Sequence, residues 1–253
     1  MKLCRRVHLI FFPVSATNAK SSSTLELGSW NTPVELDVTV SGDPNATTGY
    51  ILGINDIDLA VRCVCQEPLQ AALWAQTSVL SILEPLRQAI QARIARPVER
   101  LSIRQQHTST LAVEALMPDH AILTQRFDFA ASHRLHCSTL DHATNKRIFG
   151  KCNNPAGHGH NYRLEVEVAV PLQKVPSDCS AALDKLVRDY AVDRLDHKHL
   201  NTDLPCFEHQ NPSVEAIAKV CFDWLQKPIA GLGASLRRVR LWETEKTSAI
   251  YPD

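Results

Sequence analysis

A chain of 253 residues with 44% hydrophobic side chains can supply two cores of ordinary domain size, so two domains are expected. Its 27 Lys and Arg balance its 27 Asp and Glu with no run of like charge, which argues against a nucleic-acid or anionic-membrane partner and for a small molecule or protein. The eight cysteines are scattered without a paired framework, as expected in a reducing, cytoplasmic setting, and no stretch approaches the ~20 apolar residues of a membrane span.

The opening "MKLCRRVHLIFFPVSA" combines early positive charge with a short apolar run, as secretory signals do. The His and Pro inside that run weigh against a signal, and it reads equally well as a first strand. "WNTPVELDVTV" (30–40) alternates apolar and polar residues as a half-buried strand does. After the turn signals of "SGDPNATTG", the segments 54–64 and 77–94 carry helical spacing, and 100–113 returns to a strand pattern. A Pro-Asp turn in "EALMPDHAI" (114–122) then interrupts two strand-like runs and sets a boundary, giving domains 1–117 and 118–253.

The second part runs through the same order. Strand patterns over 127–136 and 160–170 precede a helix over 179–195, with Leu183, Leu186, Val187 and Tyr190 on its apolar stripe and Asp178 or Ser180 as candidate caps. A second helix over 211–226 opens on Asn-Pro-Ser, and 238–251 is strand-like again. "HNYRLEVEVAV" set over "WNTPVELDVTV" puts Glu165 on Glu35 and Val168 on Val38, while "RVRLWETEKTSAIY" lies over "RLSIRQQHTSTLAV" without a gap. Two anchors in the same order indicate an internal duplication, each copy a hairpin, two helices and a second hairpin.

Chemistry concentrates in the second copy. His158 and His160, at i and i+2 of a strand, face the same side and can present two imidazoles to one ion, while Gly159 gives the backbone room. His133, at the end of another strand-like run, is the candidate third ligand. Three neutral imidazoles with an open fourth position describe a catalytic zinc site rather than a closed structural one. An isolated pair of this kind is more often a solvated strand feature, so context decides.

That context is a resemblance. "FAASHRL", "FGKCNNPAGHGHNY", "LDHKHLN", "NPSVEAIA" and "LWETEKTSAIY", in this order over residues 121–253, resemble the 6-pyruvoyl-tetrahydropterin synthase family, which includes the 6-carboxy-tetrahydropterin synthases of queuosine biosynthesis. The resemblance implies an α+β tunnelling fold: antiparallel strands with two helices on one face, several units assembling into a barrel with active sites between them. It implies zinc held by His133, His158 and His160, acidifying a C–H of 7,8-dihydroneopterin triphosphate. Cys152 matches the general base, Asp196 and His197 a proton-relay pair that reaches the cysteine from a neighbouring unit, and Glu243 the carboxylate that anchors the pterin. Glu215 matches a second pterin-side carboxylate, although Val214 stands where the family often has a small polar residue. A Cys base needs its pKa lowered, and zinc, Lys151 or an imidazolium could do so. His136, His142, His199 and His209 receive no role, beyond His136 lying close enough to His133 to support it.

Overlaying the copies puts Ala16, Gly28 and Trp30 at the positions of His133, His158 and His160. Gln70 and Ala71 replace Asp196 and His197, Leu80 replaces Glu215, Gln105 replaces Glu243, and "AKSSST" holds no thiol. The expectation is one zinc site per chain, a degenerate first copy kept as scaffold, and a homo-oligomer, a trimer if six units close the barrel. The long "CNNPAGHGHNY" spacing leans toward the 6-pyruvoyl product. A non-catalytic pterin- or purine-binding assembly protein is the alternative, and a zinc hydrolase ranks last for want of a Glu beside the ligands.

Overall fold

The computed structural model describes residues 1–11, 32–75, 77–106, 108–174 and 179–252. These form two units, Met1–Ile122 and Leu123–Asp253.

In the first unit β1 (Lys2–Phe11) and β2 (Thr32–Ser41) pair antiparallel, followed by α1 (Ile54–Trp74), α2 (Leu80–Ile94), β3 (Val98–Gln106) and β4 (Ser109–Glu114). β3 lies between β2 and β4, antiparallel to both. The alternation read from the sequence has a physical counterpart: Val34, Leu36, Val38 and Val40 of β2 are buried while the residues between them are not. Ile57, Val61, Cys65 and Leu69 of α1, with Leu83, Leu86, Ile90 and Ile94 of α2, close the core, and the helices pack on each other and on β1, β3 and β4. One polar group is built into this layer: Arg87 donates to both oxygens of Glu84 at 2.7 and 2.8 Å and to the Val98 carbonyl at 2.5 Å, tying α2 to β3. Both side chains are about nine-tenths buried, and the additional bonds satisfy charges that would otherwise be costly there.

The second unit takes most of β5 (Met117–His133), then α3 (His142–Phe149) with a 3-10 turn at Gly150–Asn153, β6 (His158–Pro171) and α4 (Cys179–Val187). A π-turn at Arg188–Val192 leads into α5 (Asp193–Leu195), β7 (Lys198–His199) and α6 (Leu200–Asp203). A 3-10 turn at Pro205–Phe207, α7 (Val214–Gly231), β8 (Ser235–Thr244) and β9 (Thr247–Tyr251) complete it. β8 is antiparallel to β6 and β9, and α7 packs on both β8 and β9, with Ile217, Cys221, Leu225 and Ile229 fully buried. The fold is therefore α+β, with strands that are antiparallel apart from the short β7, which runs parallel to β5, and with two principal helices in each unit.

Two details differ from expectation. The helix expected over 179–195 is broken by the π-turn, which turns Tyr190 off the apolar stripe to 40% exposure, where Arg194 covers its ring. Ser180 is not a cap; it lies inside α4 and its hydroxyl accepts from Gln125 Nε2 at 2.7 Å, while Asp178 lies outside the described residues. By contrast, Ser213 caps α7 by accepting from the Ala216 N–H.

The duplication is written into the strand irregularities. β2 slips against β3 after Thr39, which faces Arg100, and β6 slips against β8 after Glu167, which faces Arg238. The closing hairpins slip between Arg104 and Gln106 and between Trp242 and Thr244, as the ungapped overlay of that segment requires. Matching the bulges moves the β2 overlay by two residues, so Val38 corresponds to Val166 rather than Val168, and Thr32 rather than Trp30 corresponds to His160. A two-residue shift leaves every side chain on its original face. It also aligns the ion pairs: Arg6–Asp37 and Arg126–Glu165 are equivalent, both at 2.7 Å. At the next equivalent rung the acid changes strand: Glu35 of β2 faces His8 at 3.9 Å in one unit, and Asp128 of β5 faces Arg163 at 3.1 Å in the other.

Candidate metal centre and active site

β6 delivers His158, His160 and Tyr162 to one face, because successive odd positions of a strand point the other way. β5 ends on His133 beside them. The ligand-capable atoms of His133, His158 and His160 lie within 4.8 Å of one another, and no other such group of three occurs among the described residues. His133 is fully buried and its Nδ1 donates to the Pro212 carbonyl at 2.7 Å, which fixes the tautomer and leaves the Nε2 lone pair toward the cluster. That atom is 3.2 Å from His158 Nε2, a separation that needs a proton or a cation between the two nitrogens. His158 Nδ1 and His160 Nε2 are buried with no hydrogen-bond partner. Burial holds the His133 and His158 rings below the usual imidazole pKa, in the neutral form that ligates metal. The set therefore fits zinc on donor type, spacing and charge.

Sequence reasoning did not anticipate the support of this cluster. Tyr162, fully buried and stacked on Phe129 at 5.1 Å between ring centroids, brings its hydroxyl within 3.4 Å of His133 Nδ1, and burial pushes its pKa up. Its position two residues after His160 was the available signal. The loop after His133 is held by asparagines: Asn201 and Arg134 exchange bonds at 2.8 and 2.9 Å, Asn211 accepts from the His136 N–H and Asn145 from the Cys137 N–H.

The remaining candidates fall in different places. Glu243 Oε1 lies 3.3 Å from His133 Nε2 and 3.6 Å from His160 Nε2. Cys152, partly buried in the 3-10 turn, has its thiol pKa pushed up by burial and then by Glu243; Lys151 does not lower it. Asp196 Oδ1 accepts from the Ala130 N–H at 2.8 Å and its Oδ2 meets His197 Nδ1 at 2.8 Å. The His197 side chain is 82% exposed and does not bond Cys152. Glu215, exposed in the first turn of α7, has no hydrogen bond or ion pair among the described residues. None of the eight cysteines is in a disulfide, and no helix of the described residues is long and apolar enough to cross a membrane.

In the first unit, Ala16, Gly28, Trp30 and the "AKSSST" segment lie outside the described residues. Gln70 and Ala71 sit inside α1, which runs on unbroken to Trp74, whereas the second unit ends its helix at Leu195 and releases Asp196 into extended backbone.

The family model for 6-pyruvoyl tetrahydropterin synthase matches residues 122–253. The chain belongs to this family. Among the family's characterised members, 6-pyruvoyl tetrahydrobiopterin synthase of Homo sapiens is 36% identical over 133 residues, covering 52% of this chain and 90% of that one. The structure of the Caenorhabditis elegans 6-pyruvoyl tetrahydropterin synthase is 32% identical over 52% of this chain and 94% of its own, with a TM-score of 0.47. Uricase from Arthrobacter globiformis aligns over 99% of this chain and 92% of its own at 6% identity and a TM-score of 0.48.

Proposed function

We propose that the chain is a zinc-dependent tetrahydropterin synthase that converts 7,8-dihydroneopterin triphosphate, with loss of triphosphate, to 6-pyruvoyl- or 6-carboxy-tetrahydropterin. The observation that carries this reading is the cluster of His133, His158 and His160, within 4.8 Å and flanked by Glu243. Zinc held there would act as a Lewis acid toward the hydroxyl-bearing side chain of the substrate. Glu243 accepts two hydrogen bonds from the pterin ring N–H and exocyclic amine and so sets ring orientation, with Glu215 as the second pterin-side carboxylate. Cys152 takes the proton from carbon as general base. Because its surroundings raise the thiol pKa, it must first be deprotonated, which is the task of His197, held in one tautomer by Asp196. The exposure of His197 suits a pair that serves the cysteine of a neighbouring copy.

On this reading residues 118–253 are the catalytic unit, residues 1–117 a scaffold without the site, and the assembly a trimer of two-unit chains. Incubating zinc-loaded protein with 7,8-dihydroneopterin triphosphate and identifying the product pterin by mass spectrometry tests it; absence of turnover at full zinc occupancy overturns it. The first unit keeps the fold with no histidine cluster among its described residues, which favours one competing reading, a non-catalytic pterin- or purine-binding assembly protein. Cys152→Ala separates the two: a synthase loses turnover by about 10²-fold or more while zinc and pterin binding persist.

A further inference from the structure

Three of the four histidines to which the sequence gave no role, His136, His199 and His209, line one cavity of about 700 Å³ together with Arg134. It adjoins the segments that hold the metal cluster, since Arg134 follows His133 and Asn211 precedes Pro212. The Arg134 Nε is buried with no hydrogen-bond partner, and no carboxylate of the described residues lies within ion-pair distance of its guanidinium. His136 Nδ1 accepts from Asn153 Nδ2 at 3.1 Å and faces Arg134 Nη2 at 3.4 Å, so its single ring proton belongs on Nε2, a donor. Asn211 spends its carbonyl oxygen on the His136 N–H, which leaves its amide N–H groups as donors too. Glu208 is the one acidic lining residue. The loop carrying these donors is pinned by Asn145, Asn153, Asn201 and Asn211, so a ligand meets them already ordered.

Donors in excess, around an arginine whose Nε has no partner and whose guanidinium meets no carboxylate among the described residues, are the recognition chemistry of a tetrahedral oxyanion. We infer that this cavity binds a phosphate-class anion. Two sources share that chemistry: the triphosphate released by the proposed reaction, which rests on that reading, and free orthophosphate, which does not.

The test is calorimetric titration of the full chain, stripped of metal with a chelator so that zinc cannot hold the anion, with sodium tripolyphosphate and separately with orthophosphate at fixed ionic strength. Binding of at least one is expected, weakened tenfold or more by Arg134→Gln, partly restored by Arg134→Lys, and weakened several-fold by His209→Gln, which lies away from the metal ligands. Tighter tripolyphosphate binding assigns the released product, and tighter orthophosphate binding assigns the free anion. No binding of either, or binding that Arg134→Gln and His209→Gln both leave unchanged, overturns the inference. The measurement needs no turnover, so an inactive chain that binds the anion counts against the proposed reaction alone.

Discussion

A neutral imidazole has one ring proton, and at His133 the Pro212 carbonyl takes it at 2.7 Å, leaving the Tyr162 hydroxyl at 3.4 Å as the weaker neighbour. Tyr162→Phe should therefore change zinc affinity by only a few-fold, measured by competition with a chromogenic chelator. A loss beyond the roughly 10–100-fold typical of a true outer-shell partner would make the hydroxyl the residue that orients the ring. Carboxylates act on the same scale. Asp196 is held below the usual carboxylate range first by the Ala130 N–H, and Asp203 first by the His199 N–H. Both folded-state pKa values are depressed, so the stability they contribute is complete above the unfolded value of about 3.9 and disappears as pH falls through the folded values. Melting temperatures followed downward from about pH 6 should fall less steeply for Asp196→Asn and Asp203→Asn than for the parent chain, and parallel acid limbs would remove these two groups from the account.

At the scale of elements, the decisive difference between the copies is where a helix stops. α1 continues through Gln70 and Ala71, while its counterpart passes through a π-turn, ends at Leu195 and places His197 in left-handed backbone at φ 57°, its N–H on the Ala130 carbonyl at 2.6 Å. A non-glycine residue in that conformation costs roughly 1 kcal/mol. Ala95, the C-cap of α2, carries the same cost at φ 52° with no chemistry to justify it. Ala95→Gly and His197→Gly should each raise the melting temperature by about 2–4 °C, the first without effect on turnover and the second abolishing it; a destabilised His197→Gly would mean the exposed pair with Asp196 outweighs the strain. Strands and helices were legible because burial follows period: Val34 to Val40 alternate, and Leu83, Leu86, Ile90 and Ile94 recur by helical spacing. The π-turn was not, since Leu183, Leu186, Val187 and Tyr190 read as one stripe whether or not an extra residue interrupts it. α3 escaped for a different reason, having only Asn145 buried and so no apolar stripe to read. The three histidines were legible as ligands through i, i+2 spacing and resemblance, whereas the carbonyl of Pro212 belongs to backbone brought in from far along the chain and leaves no sequence signal.

For the whole chain the duplication makes metal stoichiometry a sharp observable: emission spectrometry on the purified protein should find one zinc ion per chain, none after His158→Ala, and two would show that the first unit also binds. The exchanged rung has a consequence for how such a chain finds its fold. Tandem copies risk mispairing during folding, because a strand of one can dock into the other. The Arg6–Asp37 and Arg126–Glu165 rungs do not discriminate, since either arginine accepts either carboxylate. The adjacent rung does. β5 docked on β2 would set Asp128 against Glu35, a like-charge mismatch worth roughly 0.2–1 kcal/mol, and β1 docked on β6 would leave Arg163 without the carboxylate of Asp128. Reversing that single rung in the second copy, as in Asp128→His with Arg163→Glu, would spare the Arg6 and Arg104 contacts of Glu35 while erasing the label by which each hairpin recognises its own strand.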